Sequence, residues 1–100
     1  MTNLTKQAKG KQCFIRVNGY CNFNPETTVA CHARLIGISG MGMKAPDLFI
    51  AFGCSACHDV VDGRDHRANK EFTVEQRRLM LLEGVLRTQA WFILEGILKW

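Results

Sequence analysis

The sequence predicts a small α+β domain, and three observations carry this prediction. Short alternating or apolar segments fill the first half, one long helical pattern fills the last third, and five cysteines are spread along the chain. A chain of 100 residues forms one domain, whose modest core gains stability from a bound metal. The polar, basic N-terminus holds no apolar leader, so we expect a cytoplasmic protein whose thiols are metal ligands or reactive groups rather than disulfide partners.

Extended segments are predicted as far as residue 52. Residues 13–23 predict an N-terminal hairpin, because apolar residues flank Asn18-Gly19, a strong signal for a tight turn. Residues 27–35 alternate, which places Cys31 on the apolar face of a strand. A glycine-rich loop follows, and residues 48–52 predict a second, short apolar strand.

Helices are predicted after the second strand. A short helix opens at Cys57-His58 and ends near Gly63, with His58 and Asp62 facing the same way. A long C-terminal helix covers about residues 73–98 and begins with a capping box of Thr73 and Gln76. Its apolar residues recur at helical spacing, and we expect this stripe to pack in the core, with contact to a second copy as the alternative: Leu79, Leu82, Leu86, Ala90, Ile93 and Ile97. Charged residues interrupt the stripe, so we expect no membrane span.

The charge is unevenly distributed. Residues 1–46 carry a net charge of +5 and residues 47–100 a net charge of −1. An anionic partner of the first half is therefore expected, and nucleic acid is the commonest such partner. A merely solvated basic surface is the alternative.

The pair Cys54-x-x-Cys57 has the spacing of a zinc knuckle. A complete structural site needs two more ligands, and Cys13 and Cys21 are the available pair. A regular hairpin would point these two thiols to opposite faces, so zinc binding requires a late start or a bulge in the hairpin. The alternative is that both are small core residues.

His58 directly follows Cys57 and completes the pattern of a c-type haem attachment site. That alternative leaves Cys13, Cys21 and Cys31 without a role, and we rank it third. His32, on the polar face of the first strand, can instead meet His58, at the start of the helix, around one divalent metal.

Several short motifs resemble those of a known family. The chain resembles the small prophage-encoded nucleases of the YbcO type over nearly its whole length, and the nuclease Ref, which depends on the recombinase RecA, more distantly. Residues 27–62 resemble the HNH, or ββα-metal, endonuclease core. The motifs are Gly19-Tyr20-Cys21-Asn22, Asn24-Pro25-Glu26-Thr27, Cys31-His32-Ala33-Arg34, Ala45-Pro46-Asp47-Leu48, Cys54-Ser55-Ala56-Cys57-His58-Asp59 and Arg87-Thr88-Gln89.

This resemblance implies a role for each matching residue. His32 matches the general base, His58 the ligand of a catalytic Mg²⁺ or other divalent metal, and Asp47 the residue that orients the base or binds the metal. Cys54 and Cys57 match the zinc pair, with Cys13 and Cys21 as partners. Family members commonly carry a metal ligand where this chain has Cys31, so Asp47, Asp62 or His66 would complete the site. His66 is otherwise a surface residue.

The sequence therefore predicts a metal-dependent DNA endonuclease on a zinc-stabilised, HNH-like α+β domain spanning residues 1–100. Arg34 and Lys44 lie close to the motif and are the candidates for holding phosphates. A homodimer through the C-terminal helix and a recombinase partner, the latter by resemblance only, are further expectations. The alternative function is a non-catalytic zinc module that binds nucleic acid or protein.

Overall fold

Two short antiparallel strands lie at the centre of the fold. A computed structural model describes residues 4–33 and 47–97. Strand β1, Val29–His32, pairs with strand β2, Ile50–Gly53, so that His32 lies opposite Ile50. Turns of 3₁₀ helix flank these strands in the chain: Thr5–Ala8, Pro25–Thr27 and Asp47–Phe49.

Three α-helices follow β2, and each begins with a side-chain cap. Helix α1, Ser55–Val61, begins where Cys54 Sγ accepts the backbone N–H of Cys57. Helix α2, His66–Glu71, was not predicted from the sequence and is capped by Asp65. Helix α3, Val74–Leu94, begins with the predicted capping box, in which Thr73 and Gln76 each bond to the other's backbone N–H. Local capping chemistry thus sets where the helices begin.

Helix α3 packs directly across β2. A Cβ atom on Gly84 would lie 2.9 Å from Ile15 Cγ1 and 3.1 Å from Ala51 Cβ, so only glycine permits this close approach. The hydroxyl of Thr88, fully buried, accepts the N–H of Phe52 at 3.0 Å and donates to the carbonyl of Gly84 at 2.8 Å. The carbonyl of Phe52 in turn accepts the N–H of Phe14 at 2.6 Å. These contacts fix the helix against the sheet.

Two hydrophobic clusters lie on either side of this contact. The first joins the cysteines to α1 and α3, and its buried members include Ile15, Val60 and Val85. The second is aromatic, with Phe52 stacked on Phe14 at 5.9 Å and edge-on to Phe92 at 5.5 Å between ring centroids. The first cluster includes Cys57 and Val60 and so positions α1, which also carries His58.

The predicted N-terminal hairpin is wrong. Residues 13–23 contain no strand, although Asn18 and Gly19 do lie in a turn. Arg16 adopts a left-handed conformation at φ 54° and donates its N–H to Cys13 Sγ, while Val17 donates its N–H to Cys57 Sγ. Backbone donors that a strand ladder requires are used by sulfur atoms instead.

The apolar stripe predicted to pack in the core is wrong for most of its members, although Ile97 does pack against the aromatic cluster. Leu79, Leu82 and Leu86 are each more than half exposed, and Ile93 is exposed as well. The buried face consists instead of Gly84, Val85, Thr88 and Phe92. Periodicity identified residues that share one face of the helix. The face that packs is a different one, where Gly84 and Thr88 are small enough for β2 to approach closely.

The C-terminal helix ends at Leu94, earlier than the predicted residue 98. Gly96, at φ 73°, follows it, and Ile97 donates its N–H to the carbonyl of Phe92 at 2.8 Å. This is a Schellman cap, which requires a left-handed residue that glycine supplies. Within residues 4–33 and 47–97, no helix has the length and apolar character that a membrane crossing needs.

Candidate functional site

Four cysteines from distant parts of the chain meet in one cluster. The Sγ atoms of Cys13, Cys21, Cys54 and Cys57 all lie within 4.8 Å of one another. Cys21 is half-buried and the other three are buried. In the part of the chain that the structure describes, this is the one group of three or more histidine, cysteine or acidic side chains close enough to hold a metal ion.

Backbone N–H groups around the cluster donate hydrogen bonds to the cysteine sulfur atoms. Cys13 Sγ accepts the N–H of Arg16 at 3.4 Å, and Cys54 Sγ accepts the N–H of Cys57 at the same distance. Each thiol is therefore bonded by an amide three residues ahead of it. The carbonyl of Val17 accepts the N–H groups of Tyr20 and Cys21, which turns the chain back so that Cys21 reaches the cluster.

Hydrogen bonding and burial give the four thiols unequal acidity. A hydrogen bond with the Cys57 thiol lowers the pKa of Cys13 to about 4, and the same interaction raises the pKa of Cys57. Burial raises the pKa of Cys21 to about 11. Negative charge therefore resides first on Cys13, and a bound metal would displace protons from its partners.

The fifth cysteine is separate from the cluster. Cys31 is 2% exposed, and its Sγ would lie 3.0 Å from a Cβ atom on Gly53 of the paired strand. Burial raises its pKa to about 12, so the thiol stays protonated. The prediction of a buried core thiol is confirmed.

A second group of polar side chains surrounds His58 on α1. His58 Nε2 lies 3.0 Å from Asp62 Oδ2, one helical turn away, as the spacing predicted. Arg64 contacts Asp62 at 3.4 Å and Asp59 at 2.9 Å. The side chains of His58 and Asp62 are 27% and 20% exposed, so both are accessible to a ligand.

Asp62 also lines a cavity of about 200 Å³ between β1, α1 and the start of α3. His32 lines the same cavity, and so do two arginines of α3, Arg77 and Arg78; the remaining lining residues are Val61, Val74 and Leu81. The structure therefore brings His32 and the partner of His58 to one cavity. A larger cavity of about 390 Å³ lies beside Cys13, but no histidine or carboxylate among the described residues lines it.

The other predicted site residues lie elsewhere. The backbone of Asp47 begins the 3₁₀ turn ahead of β2. His66 begins α2 and is exposed. Arg34 and Lys44 lie outside the described residues.

Sequence reasoning missed Arg77 and Arg78. The signal available was a pair of adjacent arginines in the first turns of the predicted long helix. Their significance depends on the end of β1 lying next to the start of α3, which no local pattern reveals.

Comparison with known proteins agrees over nearly the whole chain. Residues 2–97 match the family described as "Putative nuclease YbcO". The chain is 44% identical over 99 residues to "Putative nuclease YbcO" of Escherichia coli strain K12, with 99% of each chain covered. A relative from Enterobacteria phage 82 bearing the same name has the same identity and coverage.

A solved structure of similar fold agrees with this assignment. It is described as a putative bacteriophage protein from Escherichia coli K-12 MG1655 and is similar with a TM-score of 0.75 and 39% identity. The match covers 93% of this chain and 99% of the other. The resemblance to the YbcO type drawn from the short motifs is therefore confirmed, and the chain belongs to the family described as "Putative nuclease YbcO".

Proposed function

We propose that the protein is a metal-dependent endonuclease that hydrolyses phosphodiester bonds of DNA. One observation carries the proposal: the carboxylate of Asp62 contacts His58 and lines the cavity that His32 lines. The order β1, β2, α1 is consistent with the proposed HNH-like core over about residues 27–62. In this proposal residues 1–100 form one nuclease domain, with α3 as its packing helix.

His32 acts in this proposal as the general base. A neutral imidazole nitrogen can accept the proton from an attacking water. Its position at the edge of an open cavity lets water and a phosphodiester reach it. Asp47, which begins the turn leading into the paired strand, is the candidate for orienting the base or binding metal.

His58 is the proposed ligand of a Mg²⁺ or other divalent ion. Ligating histidines usually donate their second ring N–H to a carboxylate, and the contact of His58 Nε2 with Asp62 has that form. One imidazole nitrogen then remains for the ion. A bound divalent ion supplies electrostatic stabilisation of the charge that develops on the phosphate.

The cysteine cluster is the proposed site of a structural Zn²⁺. A tetrahedral zinc with bonds of about 2.3 Å requires sulfur atoms roughly 3.8 Å apart. The Sγ atoms of Cys21 and Cys54 are separated by 3.8 Å, so the cluster fits zinc with little rearrangement. Because Cys54 and Cys57 point to Cys13 and Cys21, this arrangement favours a metal over haem attachment through Cys54-Cys57-His58.

A plasmid-nicking assay with added Mg²⁺ or Mn²⁺ tests the proposal. We expect nicking by the wild type, its loss with a chelator, and a fall of about 10²–10⁴-fold in His32→Ala. The exposed His66 offers a matched control, and His66→Ala should nick at the wild-type rate. Full activity in His32→Ala would exclude His32 as the base.

A non-catalytic zinc module that binds nucleic acid or protein is the second candidate. The burial of Cys31 favours it. HNH endonucleases commonly carry a metal ligand at this position, so the proposed catalytic site has one donor fewer. Zinc near one per chain, DNA binding that weakens with salt, and no cleavage with any metal would support this candidate.

Two partner proposals accompany the function. Self-association through α3 is supported by the exposure of its leucine stripe. A recombinase partner rests on the resemblance alone, and dependence of nicking on an added recombinase would test it.

Arg34 and Lys44 stay candidates for phosphate contacts, and substitution of either should weaken DNA binding.

A further inference from the structure

We propose that Arg77 and Arg78 bind a phosphate group of the nucleic-acid backbone in the cavity beside His32. The inference deepens the proposed nuclease function and rests on it. It names the part of the substrate that this cavity recognises and assigns the contact to α3, in the half of the chain whose net charge is negative.

The placement of the two guanidinium groups carries the first part of the argument. Both arginines line the cavity with His32 and Asp62. Across residues 4–33 and 47–97, neither arginine forms an ion pair, whereas Asp62 is already engaged by His58 and Arg64. The cavity therefore presents two positive charges whose counterion must come from a ligand or from solvent.

The second part of the argument is a buried donor. Arg77 Nε is buried and has no hydrogen-bond partner among the described residues. A buried polar group without a partner is costly and requires an explanation. The same side chain passes over Gly63, since a Cβ atom there would lie 2.9 Å from Arg77 Nη1. The left-handed glycine, at φ 79°, thus leaves room for the guanidinium.

Phosphate is the ligand that fits these donors. A guanidinium presents N–H groups in a planar fork that matches two phosphate oxygens, and Nε belongs to that fork. The cavity of about 200 Å³ accommodates one phosphate group with several waters, each of which needs about 30 Å³. A phosphodiester held there lies next to His32, where the proposed base needs its substrate.

Salt-dependent DNA binding tests the proposal. We would measure the anisotropy of a labelled DNA duplex over a series of salt concentrations for the wild type, Arg77→Gln, Arg78→Gln and the double variant. Each phosphate contact contributes about 0.9 to the slope of log affinity against log salt. We expect each single variant to reduce the slope by about 0.9, equally for duplexes of different sequence, because phosphate contacts carry no base information.

Lys70→Gln is the matched control, because Lys70 is an exposed base on α2 outside the cavity. It should keep the wild-type slope. Circular dichroism and thermal unfolding establish that each variant is folded. Should Arg77→Gln unfold, Arg77→Lys serves in its place: it keeps the charge and the slope but loses the fork, so its affinity should fall at every salt concentration.

The outcomes separate this inference from the nuclease function. Wild-type slopes in both arginine variants of an actively nicking protein would overturn the inference and leave the function standing. If the slopes depend on the arginines but the protein does not cleave DNA with any divalent metal added, the nuclease function is overturned and the phosphate contact stands. Binding of inorganic phosphate by a protein that binds no DNA would also overturn the inference, because the ligand would then be a free anion.

Discussion

The cysteine cluster and the His32–Asp62 cavity are built on opposite principles. The cluster gathers thiols that are mostly buried, bonded by backbone amides and close enough together to hold a metal ion. The cavity gathers charged groups that stay partly exposed and face open space. Burial suits the cluster to the proposed structural role and access suits the cavity to the proposed chemistry, although α1 contributes residues to both.

The largest expected effect is the loss of the cluster. Cys54→Ser should abolish cooperative folding, because structural zinc contributes about 10–16 kcal/mol of apparent binding free energy in small zinc domains. Removal of metal with a chelator should do the same. Zinc content and thermal unfolding measure this effect.

Cys31→Ala is the matched control for the cluster, because it removes a buried thiol that lies apart from it. This variant should keep its zinc and unfold cooperatively. Wild-type zinc content in Cys54→Ser would break the comparison, since the cluster would then not be the metal site.

The second effect concerns the cavity. Asp62→Asn should reduce nicking or metal affinity about 10–100-fold, because the carboxylate that holds His58 loses its charge. Asp59→Asn is the control, since Asp59 also pairs with Arg64 but lies outside the cavity lining. Titration of the metal in the nicking assay separates affinity from rate. Equal losses in the two variants would show that the effect is not local to the cavity.

The third effect separates the isolated thiol from the cluster. Burial raises the pKa of Cys31 from 9.0 to about 12. Between these values the unfolded chain releases a proton that the folded chain retains, so the free energy of unfolding falls as pH rises, by about 1.4 kcal/mol per pH unit. Urea unfolding of wild type and Cys31→Ala between pH 8 and 11, as a rough window, should show a shallower decline in the variant. Parallel declines would mean that Cys31 titrates normally.

The smallest effect on stability is expected on the exposed stripe of α3. Leu82→Gln should change the free energy of unfolding by less than about 0.5 kcal/mol, because Leu82 is exposed. If copies associate through this face, sedimentation should show the variant shifted toward monomer. Leu81→Gln is the matched change on the packed side, where the leucine adjoins the first hydrophobic cluster, and it should be destabilising. An unchanged sedimentation profile would remove α3 as a contact between copies.

Local signals in the sequence predicted the parts of the site that depend on near neighbours. The capping box at Thr73, the knuckle at Cys54 and the approach of Asp62 to His58 each involve residues three or four apart. Such pairs are close once a helix forms, whatever the rest of the chain does. For the same reason, the family resemblance could be drawn from short motifs.

Longer-range features were beyond the sequence. The Asn18-Gly19 signal favours a hairpin. In the structure, however, the N–H groups of Arg16 and Val17 donate to cysteine sulfur atoms rather than to a partner strand. The leucine periodicity of α3 could not reveal that Gly84 and Thr88 would face β2. The pairing of Arg77 with His32 in one cavity depends on how α3 crosses the sheet.

The bonds at Phe52 bear on how copies of this chain can meet. A strand with an open edge invites a strand from another molecule, and many proteins guard against this. Here the hydroxyl of Thr88 accepts the N–H of Phe52 and the N–H of Phe14 donates to its carbonyl, on the side of β2 away from β1. The sheet is thereby sealed against growth by strand addition at Phe52, and any assembly of copies at that edge has to rely on side chains rather than on a shared backbone ladder.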